Sequence, residues 1–201
     1  MRRVLMLVFA LVIAAGCSVL KIPGKAPDLY NLTPKSTFNE DLPEISKQLI
    51  IEEPIAAGGL DNNRIAQRPH STKLQFFANA RWTERAPKML QTLLIESFEN
   101  TNKIIAVGRQ SIGLRSDFTL KTELREFQAE HDIESKIFTV RVRINAKLVE
   151  QPNRVIVGSQ SFEHTVEIND DIGMNNIVIA FDQAANRVIK KLVEWTLRKM
   201  N

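Results

Sequence analysis

The sequence contains one cysteine, Cys17, among its 201 residues. A single thiol cannot close an intramolecular disulfide or form a multi-cysteine metal site, so the folded chain must be stabilised by packing. Motifs of common catalytic sites are also missing: there is no G-x-S-x-G, no H-E-x-x-H and no G-x-G-x-x-G. The histidines, His70, His131 and His164, are far apart in sequence. This pattern favours a protein that is not an enzyme and that uses no cofactor and no metal.

The only long apolar run lies at the N-terminus. Arg2 and Arg3 precede twelve apolar residues, 4–15, and the run ends at Gly16 and Cys17. A bilayer span takes about 20 residues, so this run is too short to cross a membrane. A basic start, a short apolar segment and small residues before a cleavage site are typical of a secretory signal peptide. We therefore expect residues 1–16 to be a signal peptide.

The stretch Ala14-Ala15-Gly16-Cys17 resembles the lipobox of bacterial lipoproteins, with Ala14 at a position where leucine is usual. The resemblance implies cleavage before Cys17 and lipidation of this residue on its sulfur and its amine. Two or more acyl chains make a stable membrane anchor. Ser18 stands where an aspartate would retain the protein at the inner membrane, so we expect an outer-membrane lipoprotein that faces the periplasm. A plain secretory signal with an incidental cysteine is the alternative.

The chain carries no large excess of one charge. Lys and Arg number 27 and Asp and Glu number 23, for a net charge of +4. Removal of Arg2 and Arg3 with the signal peptide leaves 25 minus 23, or about +2. So small an excess does not indicate binding to nucleic acid.

Composition divides the remaining chain into a tether and one domain. Residues 17–43 contain four prolines and little apolar periodicity, which favours a flexible tether. Tyr30-Asn31-Leu32 is the exception, and we expect it to lie extended against the domain. Residues 44–201 are long enough for a single domain with a sizeable core.

Apolar periodicity predicts two long helices and a meander of strands. The first helix is expected to open at 81–84, with Thr83 as N-cap, and to run to about Glu99. The second is expected from about Met174 to Lys199. Between them, residues 118–127 alternate until Phe127 falls out of phase, which predicts a β-bulge near Arg125.

Residues 138–148 show the clearest alternation in the chain and predict a strand with one solvated face. That face carries Arg141, Arg143 and Lys147, with Arg125 and Lys136 expected nearby. One interpretation is an ordinary sheet face, solvated or covered, with buried aliphatic stems. The other is a surface for an acidic partner, and Arg141, Arg143 and Lys147 are then the candidate partner-binding residues.

Several short motifs, taken in their order, resemble the ABC-type transport auxiliary lipoproteins. They are the lipobox, Tyr30-x-Leu32, a first core strand, Leu60-Asp61, Ala80-Arg81-Trp82 before an amphipathic helix, the strand at 118–127, the strand at 140–148 and the closing helix. The match departs at Thr83, where alanine is usual, and at Pro87, where leucine is common. Each motif is degenerate, and the specificity of the resemblance comes from their order over about 170 residues.

The resemblance implies an α/β fold, with a mixed, mostly antiparallel β-sheet and two long helices packed on it, similar to the anticodon-binding-like fold of the TolB N-terminal domain. It also implies a non-catalytic part in intermembrane lipid transport. The partners would be an MCE (mammalian cell entry) tunnel protein and an inner-membrane transporter, often an ABC permease and ATPase. The lipoprotein, as a homo-oligomer, would dock the tunnel at the outer membrane.

Two other functions remain open from the residues. A structural envelope lipoprotein would assist outer-membrane assembly or attach the membrane to the cell wall. An anchored hydrolase would require His164 or His70 to lie beside a carboxylate and an exposed hydroxyl in a cleft.

Overall fold

Nine strands and two helices follow one another in the computed structural model, which describes residues 25–110, 116–131, 137–168 and 173–201. The predicted signal peptide and Cys17 lie outside the described residues. The elements are β1 (Asp28–Tyr30), β2 (Ile45–Ile51), β3 (Ile55–Ala56), β4 (Arg64–His70), β5 (Lys73–Trp82), α1 (Ala86–Glu99), β6 (Ile104–Gly108), β7 (Phe118–His131), β8 (Phe138–Glu150), β9 (Val155–Ile168) and α2 (Met174–Met200).

Strand β7 is the centre of the sheet. Along one edge it pairs in parallel with β2, β3 and β4 at successive positions, and along the other it pairs antiparallel with β8 over its whole length. The β7–β8 register shifts between Leu124 and Glu126, which confirms the bulge predicted near Arg125. β8 in turn pairs antiparallel with β9. The mixed sheet and its two helices confirm the predicted fold class.

The helices pack against the sheet and against each other. Apolar residues recur every three or four positions on both helices, so each helix presents one apolar face to the core. An aromatic cluster of Trp82, Phe127 and Phe181 joins β5, β7 and α2, with ring centroids 5.0 to 5.5 Å apart. All three rings are buried, so this cluster links the sheet to the C-terminal helix.

The predicted start of the first helix is wrong by several residues. β5 continues to Trp82, and the backbone N–H of Thr83 donates to the carbonyl of Tyr30 at 2.9 Å instead of joining a helix. The helix begins at Ala86, with Arg85 as N-cap and no side-chain capping bond. The spacing of Trp82 from later apolar residues suits a helix, but its burial in the aromatic cluster holds it in the sheet.

The predicted tether is also wrong in its second half. β1 pairs in parallel with β5, and the side chains of Leu32 and Leu42 are buried in the core. The carboxylate of Asp182 on α2 accepts hydrogen bonds from the backbone N–H of Thr33 at 2.7 Å and from its hydroxyl at 2.9 Å. The prolines of this segment therefore do not prevent it from packing on the domain. The expectation that Tyr30 and Leu32 lie extended against the domain is confirmed.

Gly158 on β9 gives α2 a close contact with the sheet. A Cβ atom at Gly158 would lie 2.8 Å from Cζ2 of Trp195, closer than two carbon atoms pack. Trp195 also lies edge-on to Phe162, at 5.6 Å between ring centroids, which limits its movement.

We expect Gly158→Ala to lower the free energy of unfolding by about 1–3 kcal/mol, the usual cost of overpacking. Gly58 is a matched control, because a Cβ atom there would meet no atom of the described residues within 4 Å. Gly58→Ala should leave stability within about 0.5 kcal/mol of the parent chain. Denaturant unfolding of the two variants measures the difference. Equal midpoints would contradict the close packing of Trp195 on β9.

Candidate functional site

The polar face of the sheet lies on the side of β7, β8 and β9 away from α2. β8 alternates between buried residues such as Val140 and Val142 and partly exposed residues such as Arg141 and Arg143. The alternation is a consequence of strand geometry, since successive side chains point to opposite faces. All three predicted partner-binding residues lie on this face, as the sequence indicates.

Arg141 lies between carboxylates on both neighbouring strands. Its Nε atom is 3.2 Å from Oε2 of Glu130 on β7, and its Nη1 atom is 2.6 Å from Oε1 of Glu163 on β9. The hydrogen bond to Glu163 raises the pKa of the Arg141 guanidinium, and Glu130 raises it further against the effect of burial. Arg141 is therefore held in place on both sides.

Arg143 forms an ion pair with a third glutamate on this face, Glu126. Its Nη2 atom is 3.0 Å from Oε1 of Glu126, directly across on β7. Arg68 on β4 lies 3.8 Å from Glu126 and 3.9 Å from Glu130, so Glu126 has an arginine on either side. The side chain of Glu126 is only 14% exposed, which reduces screening by solvent and strengthens these contacts.

These contacts form a charge network with three arginines and three glutamates. Its members are Arg68, Arg141, Arg143, Glu126, Glu130 and Glu163. The positive charges of Arg141 and Arg143 are thus neutralised within the protein. Lys147 differs from them, because it is exposed and lies across from another lysine, Lys121. Binding of an acidic partner by Arg141, Arg143 and Lys147 stays a prediction, with Lys147 as its most accessible charge.

The glutamates of this network were not identified from the sequence. After the bulge, β7 alternates between Phe127 and Ala129 on the core side and Glu126, Gln128 and Glu130 on the polar side. That alternation is visible in the sequence and places two acidic residues on one face. Their pairing with arginines is not visible, because it depends on which strands are neighbours and in which register.

A cleft of about 580 Å³ opens beside the network and brings together His70 and His131, which are far apart in sequence. The ring of His131 stacks on Phe138, with centroids 4.1 Å apart. Neither imidazole makes a hydrogen bond to a carboxylate or a hydroxyl within the described residues, and Glu126 and Glu130 are engaged by arginines. The described residues likewise contain no group of three or more His, Cys, Asp or Glu side chains placed to hold a metal ion.

Strand β9 forms one edge of the sheet. Among the described strands it pairs only with β8, so its outer backbone N–H and C=O groups have no strand partner. Its first two residues are apolar and exposed, Val155 at 52% and Ile156 at 56%. An unpaired edge of 14 residues next to a polar face is a surface on which a further strand can add.

The fold places the chain in a class of α/β domains with solved representatives. The crystal structure of protein XCC0632 from Xanthomonas campestris matches 86% of this chain and 95% of its own, with a TM-score of 0.80 and 31% identity. A second crystal structure, of an uncharacterized protein, has a TM-score of 0.63 at 15% identity, covers 88% of this chain and 100% of its own, and shows the fold alone.

The sequence assigns the family within this class. The family described as the ABC-type transport auxiliary lipoprotein component matches residues 30–193. The chain belongs to this family, which confirms the resemblance found in its motifs. Lipoproteins of this kind are membrane-anchored, and no helix in the described ranges is long and apolar enough to cross a membrane.

A curated relative is also similar to this chain. The uncharacterized protein bll6063 of Bradyrhizobium diazoefficiens is 31% identical over 168 residues. The match covers 84% of this chain but 44% of the relative, so the chain spans less than half of the length of that protein.

Proposed function

We propose that this protein is a non-catalytic outer-membrane lipoprotein that docks the tunnel of an MCE-type lipid transport system at the outer membrane. An inner-membrane transporter supplies the energy, and several copies of the chain act together. The observation that carries the proposal is the family match over residues 30–193, which makes the chain an auxiliary component of ABC-type transport. The lipobox at Cys17 supports attachment to a membrane, and Ser18 supports the outer membrane as its location.

The polar face supports docking as the mechanism. Its charge network holds side chains from β4, β7, β8 and β9 in fixed positions, which gives a preorganised surface. Preorganised surfaces lose less conformational entropy on binding. Lys147 adds an exposed positive charge, and the free edge of β9 adds unpaired backbone groups beside it.

A detergent pull-down of the native lipidated protein tests the proposal. Mass spectrometry identifies the proteins that co-purify, and native mass spectrometry gives the number of copies of this chain. We expect an MCE protein together with several copies. Recovery of a lone monomer, or of an outer-membrane barrel protein in place of an MCE protein, would reject the transport role in favour of the structural envelope lipoprotein.

The same pull-down tests the partner surface through Lys147→Glu. We expect this change to reduce MCE recovery by about tenfold, since reversing a charge at an interface creates repulsion with an acidic partner. Lys88→Glu on α1 is the matched control, because Lys88 is also exposed and its only described ion pair is the i,i+4 contact with Glu84. Equal recovery with the two variants would exclude Lys147 from the partner surface.

A further inference from the structure

A second cleft, of about 650 Å³, lies between β9, α2 and the N-terminal segment, on the side of the sheet that faces the helices. Three basic side chains, Lys35, Arg187 and Lys190, line it together with the imidazole of His164. Asp182 is the only carboxylate among these described lining residues. The balance of charge in the cleft is therefore positive.

The carboxylates near this cleft are already engaged. Asp182 accepts two hydrogen bonds from Thr33, one from the backbone N–H and one from the hydroxyl. Glu194 accepts from the backbone and side chain of Asn39 and lies 3.7 Å from Nζ of Lys190. Within the described residues, neither acid forms an ion pair with Lys35 or Arg187.

Arg187 and Lys35 have no ion pair and no side-chain hydrogen bond within the described part of the chain. The same holds for Lys191, one residue after Lys190 on α2. Burial lowers the pKa of the His164 imidazole, and the nearby charges of Lys191 and Arg187 lower it further. The lowered pKa favours the neutral imidazole, and the three basic side chains against the single carboxylate of Asp182 leave the cleft with a net positive charge.

This combination suits one class of ligand. A guanidinium offers a planar pair of donors that matches the oxygens of a phosphate, and an ammonium adds a point charge. A protonated imidazole adds N–H donors. We propose that this cleft binds a phosphate group, held by Arg187, Lys35 and His164. The group belongs either to a phospholipid headgroup or to a free phosphate, and the site stands independently of the transport role.

Binding of the anion is coupled to protonation of His164. The charged groups that face this imidazole from the N-terminal segment and from α2 are Lys35, Asp182, Arg187, Lys190 and Lys191. A bound phosphate opposes the cations among them and favours the imidazolium, so the pKa of His164 is higher in the complex than in the free protein. By linkage, the affinity of the cleft for the anion rises as the pH falls through the pKa that His164 has in the complex.

The test follows the imidazole of His164 by proton NMR in the full lipidated chain in detergent micelles, with His164→Gln to assign the signal. Inorganic phosphate is the free probe, and short-chain phosphatidylglycerol is the lipid probe. Chloride at equal ionic strength controls for screening. We expect a saturable rise in the pKa of His164, and a loss of affinity of at least about tenfold in Arg187→Gln. Lys73 is exposed and lies outside the cleft, so Lys73→Gln should leave the affinity for the anion and the rise in the pKa of His164 unchanged.

Each outcome either supports the phosphate site and identifies the source of the phosphate, or overturns the proposal. A response to phosphatidylglycerol alone assigns the site to a lipid headgroup, and a response to inorganic phosphate alone assigns it to a free anion. A response to both supports a phosphate site that accepts either source. No response to either probe overturns the proposal, and so does an equal affinity in Arg187→Gln and Lys73→Gln. Polyglutamate is the third probe, and a response to it alone also overturns the proposal, because the cleft would then bind an acidic protein.

Discussion

Replacing Trp82 by alanine is expected to lower the free energy of unfolding by about 3–5 kcal/mol, the cost of truncating a large buried aromatic side chain. Trp82 is fully buried at the end of β5, with its ring 5.5 Å from Phe127 and 5.2 Å from Phe181 between centroids. The substitution leaves a cavity where β5, β7 and α2 meet. For a domain of this size, the melting temperature should fall by roughly 6 to 20 °C.

Trp82→Phe separates the loss of packing from other effects. The indole Nε1 of Trp82 is buried and has no hydrogen-bond partner among the described residues, so the phenyl ring removes an unsatisfied donor while keeping most of the aromatic contact. We expect the free energy of unfolding to fall by less than half as much in Trp82→Phe as in Trp82→Ala, measured by thermal and denaturant unfolding. Unchanged melting of Trp82→Ala would contradict the buried aromatic cluster.

Replacing Cys17 by alanine is expected to remove the protein from the membrane almost completely while leaving the domain folded. The change deletes the sulfur that is proposed to carry the diacylglycerol, and without lipidation no stable anchor would remain. The strands begin at Asp28, so the domain keeps its described contacts. Fractionation measures location, and thermal unfolding of the released protein measures the fold.

Ser18→Ala is the matched control for that experiment, because it changes the neighbouring residue and leaves the cysteine in place. It should stay in the membrane fraction with normal function. A chain with Cys17→Ala that still sediments with membranes, or that complements fully in cells, would reject lipidation at this residue as the basis of function.

Local patterns predicted those parts of the fold that local geometry decides. The bulge near Arg125 follows from one apolar residue, Phe127, that falls out of phase, and the closing helix follows from an apolar stripe that repeats over 27 residues. In both cases the signal lies within one segment, so no knowledge of neighbouring segments is needed. The predicted start of α1 was wrong, because Trp82 fits a helical stripe while its place in the sheet depends on Tyr30 and Asn63.

The same distinction applies to the candidate site. The alternation on β8 placed Arg141, Arg143 and Lys147 on one face, as the structure has them. It did not reveal that Glu126 and Glu163 neutralise the two arginines, because those residues come from strands on either side of β8. In the structure, Arg141 and Arg143 of this basic row are paired with glutamates, and Lys147 is exposed.

The sequence by itself determined the family, the long helices and the meander of strands, all of which are encoded in short stretches or in their order. Only the tertiary structure decided where the N-terminal segment lies, which charges cancel and which remain. Thr33 packs on α2, and Lys35 and Arg187 line one cleft, because of contacts between residues about 150 positions apart. Such contacts depend on the arrangement of the sheet and helices, which no local pattern specifies.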